Sequence, residues 1–219
     1  MLHRVVVGLL ALLLGACRES TPDTPVHTAD THQRTPDQPS GPLVPSGEQR
    51  LPERLRSVAR SGNIDHDVAS LLLEHMRGVQ QLAAAELATG RDADLRALAD
   101  TLRQEWPRES RLLGQVAGRT HAKESEESTQ HFQEFNRDVQ AALDSAIRYP
   151  PLASGDPDTE FAANLAAHLR TGLRLVQEGI AHGSDPSLIA LAHRLHHDQL
   201  RHLRQVQAWS STYLPPAKR

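Results

Sequence analysis

Four histidines crowd the stretch LAHRLHHDQLRHLRQVQAW: His193, His196, His197 and His202. Neutral imidazole binds Zn(II), Cu(II) and Ni(II), and histidines spaced to share a helix face can chelate such an ion. His193 and His197, four apart, share one face with His196 at its edge, so these three form a weak surface metal site or simply face water. His75 and His168 stand apart and call for a separate account. Other chemistries find little support. Cys17 is the only cysteine, which excludes an intramolecular disulfide and a thiolate-rich metal site. There is no Gly-rich phosphate loop, Ser–His–Asp arrangement, cysteine nucleophile or Glu-x-x-His pair, so no enzyme is expected. The formal charge of −3 carries no basic block, and no nucleic-acid partner is expected.

The elements that must position these histidines are helices. Aromatics make up 3% of the chain while Leu, Ala and Arg abound, a composition that suits packed helices over sheets. A short helix is expected near Pro52–Arg60. Asp65 is expected to cap a long helix that stops at Gly90, and a second starts at Asp92 and is kinked by Pro107. A third covers SEESTQHFQEFNRDVQAALDSAIR, a fourth starts after SGDPD and stops at Gly183, and a fifth runs from Asp185–Pro186 to about Tyr213.

Displacing the chain by 93 residues superposes 65–113 on 158–206 without a gap. Asp65 falls on Asp158, His75 on His168, Gly90 on Gly183, Asp92 on Asp185 and Leu102 on Leu195. The unit is a short helix followed by a long hairpin, present twice, and two such hairpins make a four-helix bundle. Apolar stripes then locate the polar residues. Val68, Leu72, His75, Val79 and Leu82 line one face, matched by Phe161, Leu165, His168, Gly172 and Leu175. The return helices read Leu95, Leu98, Leu102, Trp106, Glu109, Leu113 and Leu188, Leu191, Leu195, Gln199, His202, Val206. His75, His168, Glu109, Gln199 and His202 therefore point inward. Reflection through the turns pairs His75 with Glu109 and His168 with His202; Gly172 leaves room for an ion beside the second pair, the better half of the site.

Residues 1–16 read as a secretory signal peptide, since the apolar run Val5–Leu14 is shorter than the roughly 20 residues of a membrane span. The ending LGAC resembles a bacterial lipobox, which implies lipidation of Cys17 and attachment to the membrane. Arg18 after it favours the periplasmic face of the outer membrane. Residues 17–47 are rich in Pro and Thr with little to bury, a disordered tether that could reach about 90 Å as polyproline II. The folded domain is expected over 48–213, with repeat one at about 52–118 and repeat two at about 126–213.

The "sGDpDtEF" entry, the inward histidine that follows and the Gly-x-Asp turn resemble the bacterial domain-of-unknown-function 305 family, best over residues 139–210. The resemblance implies a ferritin-like fold and an association with copper. The family's adjacent histidine pair reads His75-Met76 and His168-Leu169 here, which adds Met76 to the ligand set. Its methionines are replaced by Leu72, Leu82, Leu165 and Leu175. Its return-helix Gln and Glu fall on Gln199 and His202, and on Trp106 and Glu109. The expected function is a lipid-anchored envelope protein that binds or buffers copper or another divalent transition metal. The alternative is a structural or interaction lipoprotein, docking an envelope partner, whose core histidines are only hydrogen-bonded or respond to pH.

Overall fold

Pro, Asp, Asn and Gly punctuate the chain where its helices begin and end. The computed structural model describes residues 51–120, 129–147 and 152–213, all within one unit, Pro39–Arg219. The helices are α1 (Leu51–Ser57), α2 (Ile64–Thr89), α3 (Ala93–Thr120), α4 (Thr129–Ile147), α5 (Pro157–His182) and α6 (Pro186–Tyr213). No strand occurs among the described residues. The protein is an all-α bundle made of two repeats, α1–α3 and α4–α6. Cys17 and the stretches expected to be a signal peptide and a tether lie outside the described residues. No helix among those described is long and apolar enough to cross a membrane.

The repeat extends further than the 65–113 match. Gly62 and Gly155, 93 apart, both adopt a positive φ, of 89° and 81°, directly before the long helices. Glycine takes this conformation without a Cβ clash. The next residue is the N-cap in each case. Asn63 Oδ1 accepts from His66 N–H and Asp156 Oδ2 from Thr159 N–H, both at 3.0 Å. Asn63, not Asp65, thus caps α2. Asp92 and Asp185 do the same for α3 and α6, accepting from Leu95 N–H at 3.0 Å and Leu188 N–H at 3.1 Å.

Asp65 is free for a longer reach. Its carboxylate accepts from Ser184 N–H at 2.9 Å, Ser184 Oγ–H at 2.7 Å and Asp185 N–H at 3.1 Å, at the far hairpin's turn. Asp158 reciprocates, accepting from Arg91 N–H and Asp92 N–H, each at 2.9 Å. Each repeat therefore fastens the turn of the other. The long helices α2 and α5 must run antiparallel for both contacts to form.

The middle of the bundle is α2 against α5, with α3 folded back on α2 and α6 on α5. α4 covers α5, and α1 touches both α2 and α4. The predicted stripes supply most of the core: Val68, Leu72, Val79, Phe161, Leu165, Leu102 and Leu195 are at most 1% exposed, while Leu82, Glu109 and His168 of the same stripes are half-buried. Each such side chain contributes roughly 1.5–3 kcal/mol by leaving water. Pro107 lies at an exposed position inside α3, which continues through it as one helix.

Candidate metal centre

Two glycines let α2 and α5 come close enough to exchange histidines. A Cβ at residue 78 on α2 would lie 3.0 Å from His168 Nε2. A Cβ at residue 172 on α5 would fall nearer than 3.0 Å to both His75 Nε2 and Gln199 Oε1. The space expected beside Gly172 is thus taken by the His75 ring from α2 and the Gln199 amide from α6. The two donor atoms thus approach each other over the Gly172 backbone, one from each repeat.

His75 is fully buried, and neither ring nitrogen has a hydrogen-bond partner. Gln199 is 1% exposed, and neither its Oε1 nor its Nε2 is partnered. Four shielded polar atoms without partners in one place are unusual, since buried polar groups are nearly always hydrogen-bonded. His168 sits beside them, its ring centre 6.3 Å from that of His75. Its Nδ1–H donates to Asn164 O at 3.0 Å. A carbonyl can only accept, so in the neutral ring the Nε2 beside Gly78 keeps its lone pair, the form a metal requires.

Electrostatics keep these rings neutral. Burial, helped by neighbouring His168, pushes His75 down to about 3. Burial lowers His168 to about 4, against the opposing pull of its bond to Asn164. His202 is lowered to about 4 by burial and then by Arg201.

The pairings expected within each hairpin are not the ones formed. His202 is fully buried one turn beyond Gln199, but its Nε2 lies 3.2 Å from an Arg201 N–H and 3.4 Å from Glu105 Oε2, not against His168. Its Nδ1 is unpartnered. His75 has Trp106 at 6.0 Å and His168 as ring neighbours, rather than a bond to Glu109. Glu109 is half-buried, with Oε2 shielded and unpartnered. Met76 is buried, and its Sδ accepts a weak contact from Ser110 Oγ–H at 3.9 Å. The expected pairs lie within one hairpin, whereas His75 also meets His168 and Gln199 of the other repeat. His193 and His197 are exposed and His196 half-buried, as their flank position implied.

The inner donors are imidazole nitrogen and amide oxygen, with one thioether nearby and no thiolate. That set fits Cu(II), Zn(II) or Ni(II) better than Cu(I).

A second group escaped the sequence reading. Asp138 on α4 meets Glu178 and His182 on α5, and their ligand atoms all lie within 4.8 Å of one another. The Glu178–His182 spacing of four was a legible signal; Asp138 could be added only in three dimensions. No family model, curated protein or solved structure matches the chain.

Proposed function

We propose that the protein binds a divalent transition-metal ion of the Cu(II) or Zn(II) class inside its bundle, and that it does so from a lipid anchor at Cys17 in the bacterial envelope. His75 and Gln199 are the primary ligands, and His168, whose Nε2 keeps its lone pair, is the third. His202 and Met76 keep their own neighbours, Arg201 with Glu105 and Ser110, and are not counted among the ligands. The observation that carries this reading is the group of unpartnered buried atoms of His75 and Gln199 over Gly172. A buried polar group without a partner costs about 1–3 kcal/mol, and one ion offsets several such costs together. The likeness of residues 139–210 to the domain-of-unknown-function 305 family supports the same reading, as do the lipobox-like LGAC and the Pro/Thr-rich stretch for the anchor. Binding or buffering, rather than catalysis, suits a site so thoroughly enclosed.

Calorimetry of the full chain with Cu(II) and with Zn(II) tests this. One tight ion is expected, weakened at least tenfold by His75→Ala or Gln199→Leu and unaffected by His193→Ala combined with His197→Ala. Absence of any ion that depends on His75 overturns the reading. The core then belongs to the alternative, a hydrogen-bonded polar cluster, which the ordinary partners of His168 and His202 favour.

A further inference from the structure

We propose that the seam between α4 and α5 carries a second, surface-accessible divalent-cation site, formed by Asp138, Glu178 and His182. His182 Nε2 lies 3.3 Å from Asp138 Oδ2 and 3.5 Å from Glu178 Oε2. Charge-assisted hydrogen bonds of an imidazolium run about 2.7–2.9 Å. The ring is therefore shared loosely between two carboxylates instead of docked on one, with its nitrogen and both oxygens facing a common space.

Two helices make the clamp. Glu178 and His182 are stacked one turn apart on α5, and Asp138 closes from α4. The three side chains keep 40%, 17% and 11% exposure for Asp138, Glu178 and His182. The site is thus held in place yet reachable, and an ion there keeps water at its open positions. Phe135, fully buried, packs edge-on against the His182 ring at 5.9 Å and fixes its plane. His131 lies at the rim, its ring 5.1 Å from that of His182 and its Nε2 3.4 Å from His182 O. The group also sits at the C-terminus of α5, where the helix dipole favours positive charge. Competing cations are weak: Arg137, 70% exposed, is 3.6 Å from Asp138. Arg174 acts on Glu178 only electrostatically.

The fold does not require these residues. Ninety-three residues earlier, repeat one has Ala85 and Thr89 where repeat two has Glu178 and His182, and its helix is equally well formed. Imidazole with two carboxylates selects Zn(II), Ni(II), Co(II) or Cu(II) over Ca(II) and Mg(II), which prefer oxygen alone.

This site is independent of the core centre, and the test separates them. The full chain is titrated with Zn(II) by calorimetry while the histidine ring resonances are followed by NMR. Asp138→Asn with Glu178→Gln keeps the side-chain shapes and removes both charges, and circular dichroism checks that helix content is unchanged. The double variant should weaken one Zn(II) at least 30-fold and abolish the Zn(II)-dependent shift of the His182 ring, leaving any ion that depends on His75 in place. Zinc stoichiometry and a His182 shift equal to those of the wild type would overturn the proposal, as would a wild type whose His182 resonance ignores Zn(II).

Discussion

Both hairpin turns are held from across the bundle, yet they are held differently. At the Gly183 turn, Asp65 is 3% exposed and receives hydrogen bonds from the Ser184 amide and hydroxyl and the Asp185 amide. Asp185 in turn takes a two-pronged contact from Arg119, at 2.9 and 2.7 Å, which holds its carboxyl down to about 2. At the Gly90 turn, Asp158 receives two amides and stands beside Glu86, a fully buried carboxyl. Repeat two has Gly179 where repeat one has Glu86. The backbone plan is thus duplicated while the side chains around it are not: Arg119 pairs with Asp185 at one turn, whereas at the other Arg96 donates to Leu87 O and Gly90 O and Glu86 stands as a second acid. The geometry is shared by both ends, and the residues that differ give each end its own electrostatics.

Removing the fasteners should separate the two ends most. Asp65→Ala leaves three donors unpaired and is expected to cost about 3 kcal/mol in urea unfolding. Asp158→Ala leaves two donors unpaired, so it should cost less, about 2 kcal/mol. A larger loss for Asp158→Ala would reverse the comparison.

The glycine pair gives the next largest contrast. Gly172→Ala drives a methyl into His75 and Gln199 and should cost about 2 kcal/mol. Gly78→Ala requires His168 to yield by only a few tenths of an ångström, which the gain in helix propensity of about 1 kcal/mol roughly offsets. Equal melting temperatures for the two variants would show that α2 and α5 do not meet as described.

The smallest effect is a pH slope. Burial first, and then Asp158, raise the Glu86 carboxyl to about 8. A folded-state value above the unfolded one, 4.5 for this group, means that the folded state binds the proton more tightly. Its stabilising share is whole below pH 4.5 and is lost progressively as pH rises to about 8. Glu86→Gln should flatten the fall in melting temperature across that window, and the matching Gly179 end has no such group to lose. A slope unchanged in the variant would remove Glu86 from the account.

Much of this architecture was legible in the residues. The Gly90–Gly183 and Asp92–Asp185 matches located both turns, because helix ends need particular side chains at particular offsets. The stripes placed His75, Gln199 and His202 inside, because burial follows the helical period. Partners were not legible. A stripe says which face is covered but not by what, and His75 meets Gln199 only because Gly172 lets helices from different repeats close in. Asp65 misled for a similar reason: two residues from the true cap, it has a capping residue's chemistry but spends it 119 positions away.

The crossed carboxylates of Asp65 and Asp158 also bear on ancestry. A patch that gives a bond to its counterpart and receives the same bond back is the form of an isologous, two-fold interface between identical subunits. A single α1–α3 unit carrying one such aspartate would have no ally for its own turn until it met a second copy. The present chain reads as that pair made covalent. Joined in one polypeptide, the halves no longer had to stay identical, and Glu178, His182 and Gln199 could arise in one of them alone.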